Sequence, residues 1–155
     1  MRGKRAVKRV IAPDPKFGNV YIAKFINYLM VDGKKSVAQR VMYDALEIIS
    51  NETKQDAIEV FDQAIKNVVP SLEVKSRRVG GANYQVPMPV RGDRRYTLAY
   101  RWILAATRGK KGRPMAERLA KEFIAASQGE GDAMKKKQDV QRMAEANRAF
   151  AHFAR

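Results

Sequence analysis

The chain has 155 residues, no cysteine and a formal net charge of +15 at pH 7. This length fits one domain with a sizeable core, and the 45% hydrophobic content is typical of a folded protein rather than a basic tail. The lack of cysteine excludes disulfides and thiolate metal sites, and no apolar run approaches the ~18 residues of a membrane span, so a cytoplasmic protein is expected.

The positive charge is concentrated in two segments. Residues 1–16 carry six basic residues against one acid, and residues 75–113 carry eleven against one acid. The rest of the chain has as many acids as bases, so these two segments hold the whole excess. Such segregation indicates a binding surface for nucleic acid or for an anionic membrane.

The first half of the chain is predicted to be a basic arm followed by three helices. Residues 1–16 are expected to be flexible, because Pro13 and Pro15 disfavour helix there. Apolar residues at helical spacing then predict helices over 19–31 and over 35–50, and a third helix that Thr53 and Asp56 open as an N-cap pair and that Pro70 stops.

A β-hairpin is predicted over residues 72–90. Apolar and polar residues alternate on both sides of Gly80-Gly81, whose lack of a Cβ suits a tight turn. Pro87 and Pro89 are two residues apart, so their nitrogens share one edge, which should be the outer edge. A two-stranded ribbon is marginal alone, so its base should lean on a helical body while its tip meets a partner.

Three more helices are expected after the hairpin. The fourth, from an N-cap at Asp93 to Arg108, has a stripe of Leu98, Trp102 and Ala105. The fifth follows Pro114 and pairs Arg118 with Glu122 at i,i+4. The sixth, after Asp132, has the weakest stripe and should be peripheral. The chain is thus predicted to be all-α, a single domain (1–155) with about six helices in a bundle-like body and one protruding hairpin between the third and fourth.

Catalytic and cofactor motifs are not apparent. His152 is the only histidine and lacks a nucleophile nearby in sequence, while Asp56, Glu59 and Asp62 share a helix face with Lys66, which is typical of a solvated face. Neither an enzyme nor a metal or organic cofactor is therefore expected.

Two features suit nucleic-acid binding. The sequence from Gly109 to Gly112 matches the GxxG loop of KH domains, but only two strands are predicted, so a basic interhelical turn that binds phosphates is the better interpretation. Trp102 is expected in the core, whereas Tyr84 beside the hairpin tip would otherwise be exposed and is the better candidate for base stacking.

Several stretches resemble the family of bacterial small-subunit ribosomal protein seven. They cover most of the chain in the family's order: PDP (13–15), LMVDGKKS (29–36), AIKNVVPSLEVKSRRVGGANYQVP (64–87), RW (101–102) and KKKQDVQRMAEANRAFAHF (135–153). The last residues, from Phe153, depart from the ending usual in that family.

The resemblance implies a helical body with a hairpin and a structural role in translation as part of a ribonucleoprotein. Family members bind the 3′ major domain of small-subunit ribosomal RNA directly and nucleate assembly of the head. They lie near the tRNA exit site, so the implied partners are that RNA, exit-site tRNA and mRNA, and the neighbouring proteins nine and eleven. Charge and resemblance together give the candidate RNA-binding residues: Arg2, Lys4, Arg5, Lys8, Arg9, Lys34, Lys35, Lys75, Arg77, Arg78, Tyr84, Arg91, Arg94, Arg95, Arg108, Lys110, Lys111, Arg113, Lys135 and Lys136.

The alternative is a DNA-bending architectural protein with a β-ribbon arm, in which Val79, Pro87 and Met88 would be wedges between base steps. RNA is favoured, because folded RNA is recognised by shape and phosphate contacts that need dispersed basic patches. An RNA-modifying enzyme is disfavoured for want of an acid, a base or a cofactor loop.

Overall fold

The computed structural model describes residue 3, residues 6–7 and residues 9–154. These residues form α1 (Val20–Leu29), α2 (Lys35–Thr53), α3 (Ala57–Val68), β1 (Leu72–Val79), β2 (Ala82–Pro89), α4 (Asp93–Gly109), α5 (Met115–Ser127), α6 (Asp132–Ala146) and a C-terminal 3-10 helix (Arg148–Ala154). The mainly helical class is confirmed, and so is the hairpin between the third and fourth helices. Within the described ranges, no helix is long and apolar enough to cross a bilayer.

The described residues up to Arg40 form one compact unit. Within it, Asp14 is buried and its carboxylate accepts hydrogen bonds from the backbone N–H groups of Lys16 and Phe17, each at 3.1 Å. The side chain of Asn19 caps α1 by accepting from the N–H of Tyr21 at 2.7 Å. The end of the predicted arm is therefore an ordered turn.

Residues from Val41 onwards form a second compact unit, and α3 packs on α5 in its core. Phe61 and Phe123 meet edge to face with ring centroids 5.2 Å apart. The side-chain amide of Asn67 donates to the carbonyls of Ala126 and Ser127, both at 2.9 Å, and so satisfies the C-terminal end of α5. Of the predicted N-cap pair, Asp56 caps α3 by accepting from the N–H of Ile58, whereas Thr53 is the last residue of α2 and does not cap α3.

The buried face of α4 differs from the predicted one. Trp102 is half-buried and Ala105 is exposed, so of the expected stripe only Leu98 lies in the core. Asp93 is the first helical residue rather than the N-cap, since Gly92 occupies that position at a φ of +55°. The face that α4 buries comprises Leu98, Ala99, Tyr100, Ile103, Leu104 and Thr107.

The hairpin has the predicted turn at Gly80-Gly81 and the predicted proline-bearing outer edge. Gly80 and Gly81 have φ values of +58° and +90°, as a type I′ turn requires of both central residues. The N–H of Val90 donates to the carbonyl of Ser71 at 2.9 Å, and hydrogen-bonded pairs alternate along an antiparallel ladder. The pairs Leu72–Pro89 and Val74–Pro87 are therefore non-hydrogen-bonded, and both proline nitrogens face the outer edge.

Helix α6 is peripheral, as predicted, because among its residues only Ala133 and Ala144 are buried. Both α6 and the 3-10 helix pack against the hairpin. The hairpin is thus supported by two helical elements from the C-terminal end of the chain.

Candidate nucleic-acid interface

The face of the hairpin that carries Arg77 and Tyr84, here the inner face, packs on the 3-10 helix. Arg77 and Tyr84 are directly opposite each other in the ladder. The ring of Tyr84 lies 5.2 Å from the centroids of both Phe150 and Phe153, and Nη1 of Arg77 donates to the carbonyl of Phe153 at 2.8 Å. The expectation that Tyr84 is exposed is wrong: it is half-buried in an aromatic cluster.

The opposite, outer face of the distal hairpin is open. Ser76, Arg78, Asn83 and Gln85 are exposed, and Arg78 is paired in register with Asn83. Because side chains two apart along a strand share a face, these groups form one polar surface with a guanidinium and no acid.

The base of the hairpin is organised by a buried acid, Glu73. Its carboxylate lies 2.8 Å from Nζ of Lys75 and 3.1 Å from Nη2 of Arg94 in the first turn of α4. Burial alone would raise the pKa of Glu73, but the hydrogen bonds and charges of these two cations outweigh it and lower the pKa. Lys75 and Arg94 therefore have a structural partner inside the protein.

Arg91 and Arg95 flank this ion-paired group and are exposed. They follow β2 and begin α4, so the hairpin base and the helix present them together. Arg108, at the other end of α4, is also exposed.

The α4–α5 loop points one of its cations inwards and two outwards. Nζ of Lys110 lies 2.6 Å from Glu122 and 3.2 Å from Asp132. Burial alone would lower the pKa of Lys110, but these carboxylates outweigh it and raise the pKa. The neighbouring cations Lys111 and Arg113 are exposed.

The predicted surface pair of Arg118 with Glu122 is wrong. Glu122 is fully buried, and its second oxygen accepts from the N–H of Ala133 at 2.9 Å. Arg118 instead donates to the carbonyls of Thr107 and Lys110. Arg118 and Glu122, both on α5, thus hold the α4–α5 loop in place.

The three lysines at the start of α6 have different roles. Lys135 pairs with Asp132 at 3.4 Å, Lys136 is exposed, and Lys137 donates to the carbonyl of Asn67 at the end of α3. Burial lowers the pKa of Lys137. Asp132 in the first turn offsets the unfavourable position of these cations near a helix N-terminus.

In the N-terminal unit, Arg9, Lys34 and Lys35 are exposed. The other predicted arm residues lie outside the described residues: Arg2, Lys4, Arg5 and Lys8.

Asp56, Glu59 and Asp62 are exposed, as predicted, and burial raises the pKa of Asp62. The exposed His152 places its ring nitrogen 2.9 Å from the carbonyl of Ala149. Across the described part of the chain, no group of three histidine, cysteine or acidic residues is arranged to hold a metal ion.

Sequence reasoning overlooked three buried acids, Asp14, Glu73 and Glu122. A signal for Glu122 exists, since it follows the buried Leu119 by three residues and shares its helix face. Glu73 has no such signal, because it alternates with apolar neighbours on a strand and reads as a solvent-facing position.

Comparison with known proteins gives consistent matches over the whole chain. The family model described as "Ribosomal protein S7p/S5e" matches residues 1–148. A small ribosomal subunit protein uS7 from Thermotoga maritima is 60% identical over 153 residues, covering 99% of each chain. Proteins of the same name from Afipia carboxidovorans and Moorella thermoacetica are each 55% identical over 152 residues, covering 98% of this chain and 97% of theirs.

Proposed function

The chain belongs to the ribosomal protein S7p/S5e family and is a protein of the small ribosomal subunit; from this premise we propose that it binds the 3′ major domain of small-subunit ribosomal RNA directly. In this proposal it nucleates assembly of the head and lies near the tRNA exit site, with exit-site tRNA, mRNA and proteins nine and eleven as neighbours. Its role is structural rather than catalytic, in the cytoplasmic ribosome. The whole chain acts as one RNA-binding domain, and residues 1–16 contribute as a basic arm.

The observation that carries the proposal is a set of exposed cations on separate elements. They lie at the hairpin base, in the α4–α5 loop, at the start of α6 and on the outer face of the hairpin, as a folded RNA with irregular phosphate positions requires. The residues are Arg91, Arg95, Lys111, Arg113, Lys136 and Arg78.

The DNA-bending alternative is disfavoured by the hairpin itself. Pro87 is buried, so it is not available as a wedge between base steps, and Met88 is half-buried. Only Val79 at the tip, 37% exposed, keeps the required accessibility.

The test compares a transcript of the 3′ major domain with random duplex DNA of equal length. With six to ten phosphate contacts, affinity for the transcript should fall about 10³–10⁵-fold between 50 and 200 mM salt. At fixed salt the transcript should bind much more tightly than the duplex, and footprints should be confined to a few RNA helices. Equal affinity for the two nucleic acids would contradict the proposal.

A further inference from the structure

The buried carboxylate of Glu122 joins two of the basic elements. One oxygen contacts Nζ of Lys110 in the α4–α5 loop at 2.6 Å, and the other accepts from the N–H of Ala133 in the first turn of α6 at 2.9 Å. The side chain of Glu122 is completely inaccessible to solvent. A single acid therefore satisfies a helix end and anchors a loop.

The surroundings of Glu122 are built for this contact. A Cβ at Gly131 would lie 2.9 Å from its carboxylate oxygen, and Gly131 has a φ of +96°, so glycine allows α6 to begin directly on the carboxylate. Asp132 contacts the same ammonium of Lys110 at 3.2 Å. The carbonyl of Lys110 is held separately by Arg118.

We propose that Glu122 is a positioning residue for RNA binding. Through Lys110 and the N–H of Ala133, it holds the exposed Lys111 of the loop and Lys136 of α6 as one phosphate-binding surface. Lys110 is the internal counterion of Glu122 and not an RNA ligand. The inference rests on the proposed function. It makes an acid, Glu122, necessary for positioning the basic residues of the interface.

The geometry supports joint action of the two elements. Lys111 is the next residue after Lys110, and Lys136 lies one helical turn after Asp132, which itself contacts Lys110. Fixing Lys110 between the two acids therefore limits the positions of both exposed lysines, which reduces the conformational freedom lost when phosphates bind.

The decisive variant is Glu122→Gln, with Glu130→Gln as its matched control. Each change raises the net charge by one, so charge alone predicts equal or tighter RNA binding for both. Glu130 is exposed and lies just before α6. We expect Glu122→Gln to bind the 3′ major domain transcript roughly threefold to tenfold more weakly, with a salt slope shallower by about 0.7–0.9, the value of one phosphate contact. Glu130→Gln should bind at least as tightly as the unmodified protein.

Binding is measured at a temperature where circular dichroism shows each variant to be folded. If Glu122→Gln does not fold, the double variant Lys110→Met/Glu122→Gln serves instead, because it removes the ammonium together with the charge it neutralises and leaves the net charge unchanged. We expect the salt slope of this double variant to be shallower than that of the unmodified protein by about 0.7–0.9, the value predicted for Glu122→Gln. A salt slope that is shallower by two phosphate contacts instead of one would show that Lys110 is an RNA ligand. It would overturn the assignment of Lys110 as the internal counterion of Glu122.

Binding by Glu122→Gln, or by the double variant, that equals that of the unmodified protein would also overturn the positioning role. These outcomes differ from a failure of the proposed function. If the proposed function were wrong, the unmodified protein itself would not prefer the transcript to duplex DNA.

Discussion

The hairpin base and the α4–α5 loop both surround a buried acid, but the two acids are held differently. Glu73 contacts two cations, Lys75 and Arg94, and its side chain remains 10% exposed. Glu122 contacts one loop cation, Lys110, and a helix N–H, and is fully buried. The charge of Glu73 is thus neutralised by two cations, whereas the charge of Glu122 depends on Lys110 alone.

This difference shows that the number of cations in a basic segment is not the number available to RNA. Lys75, Arg94 and Lys110 already have carboxylate partners, while their sequence neighbours Arg95 and Lys111 are exposed. In the proposed function, Arg95 and Lys111 contact phosphates, while Lys75, Arg94 and Lys110 hold elements of the fold together through their carboxylate partners.

The largest expected effect is on stability at the loop. Lys110→Met leaves Glu122 buried without its cation, and breaking a buried ion pair is strongly destabilising. Because 42% of the Lys110 side chain is exposed, solvent screens part of the loss, so we expect about 2–3 kcal/mol off the free energy of unfolding. Urea unfolding measures it. Lys111→Met is the control and should leave the free energy of unfolding nearly unchanged.

A smaller effect is expected at the hairpin base. Arg94→Ala removes one partner of Glu73 but leaves Lys75, so the loss should be about 0.5–1.5 kcal/mol. Arg95→Ala, on the neighbouring exposed residue, should cost less. The comparison between the two sites fails if Arg94→Ala destabilises the protein as much as Lys110→Met does.

The pH dependence of that loss sharpens the comparison. The pKa of Glu73 in the folded protein is below its ordinary value of 4.5. The stability from its ion pairs is therefore complete above that value and lost as the pH falls through the lowered folded pKa. Unfolding curves of Arg94→Ala and the unmodified protein should differ at neutral pH and converge in acid. A difference that persists after Glu73 is protonated would assign the loss to packing by the arginine side chain.

Local chemistry explains why much of the fold was predictable. Gly80-Gly81 requires only its own backbone preference to form the turn, and the spacing of Pro87 and Pro89 sets the outer edge whatever lies nearby. Helices such as α3 have one clear apolar stripe and a strong cap at Asp56. For these elements, sequence and tertiary packing favour the same structure.

The rest depended on contacts that the sequence does not specify. Two faces of α4 have apolar residues at helical spacing: one carries Leu98 and Trp102, and the other carries Tyr100 and Ile103. Only packing against α5 and α6 determines that the face with Tyr100 and Ile103 is buried. Tyr84 is covered by a 3-10 helix more than sixty residues away in sequence. The partners of Lys110 are twelve and twenty-two residues further along the chain, so the loop read as uniformly exposed.

In the proposed function, exposed cations such as Arg91 and Arg95 bind RNA, while cations paired with a buried acid hold the fold. The most direct test is the salt slope of the double variant Arg91→Ala/Arg95→Ala on the 3′ major domain transcript. We predict that the slope becomes shallower by about 1.4–1.8, as for the loss of two phosphate contacts, with an unchanged unfolding midpoint. An unchanged slope, or a loss of stability comparable to that of Lys110→Met, would contradict the division between the two kinds of cation.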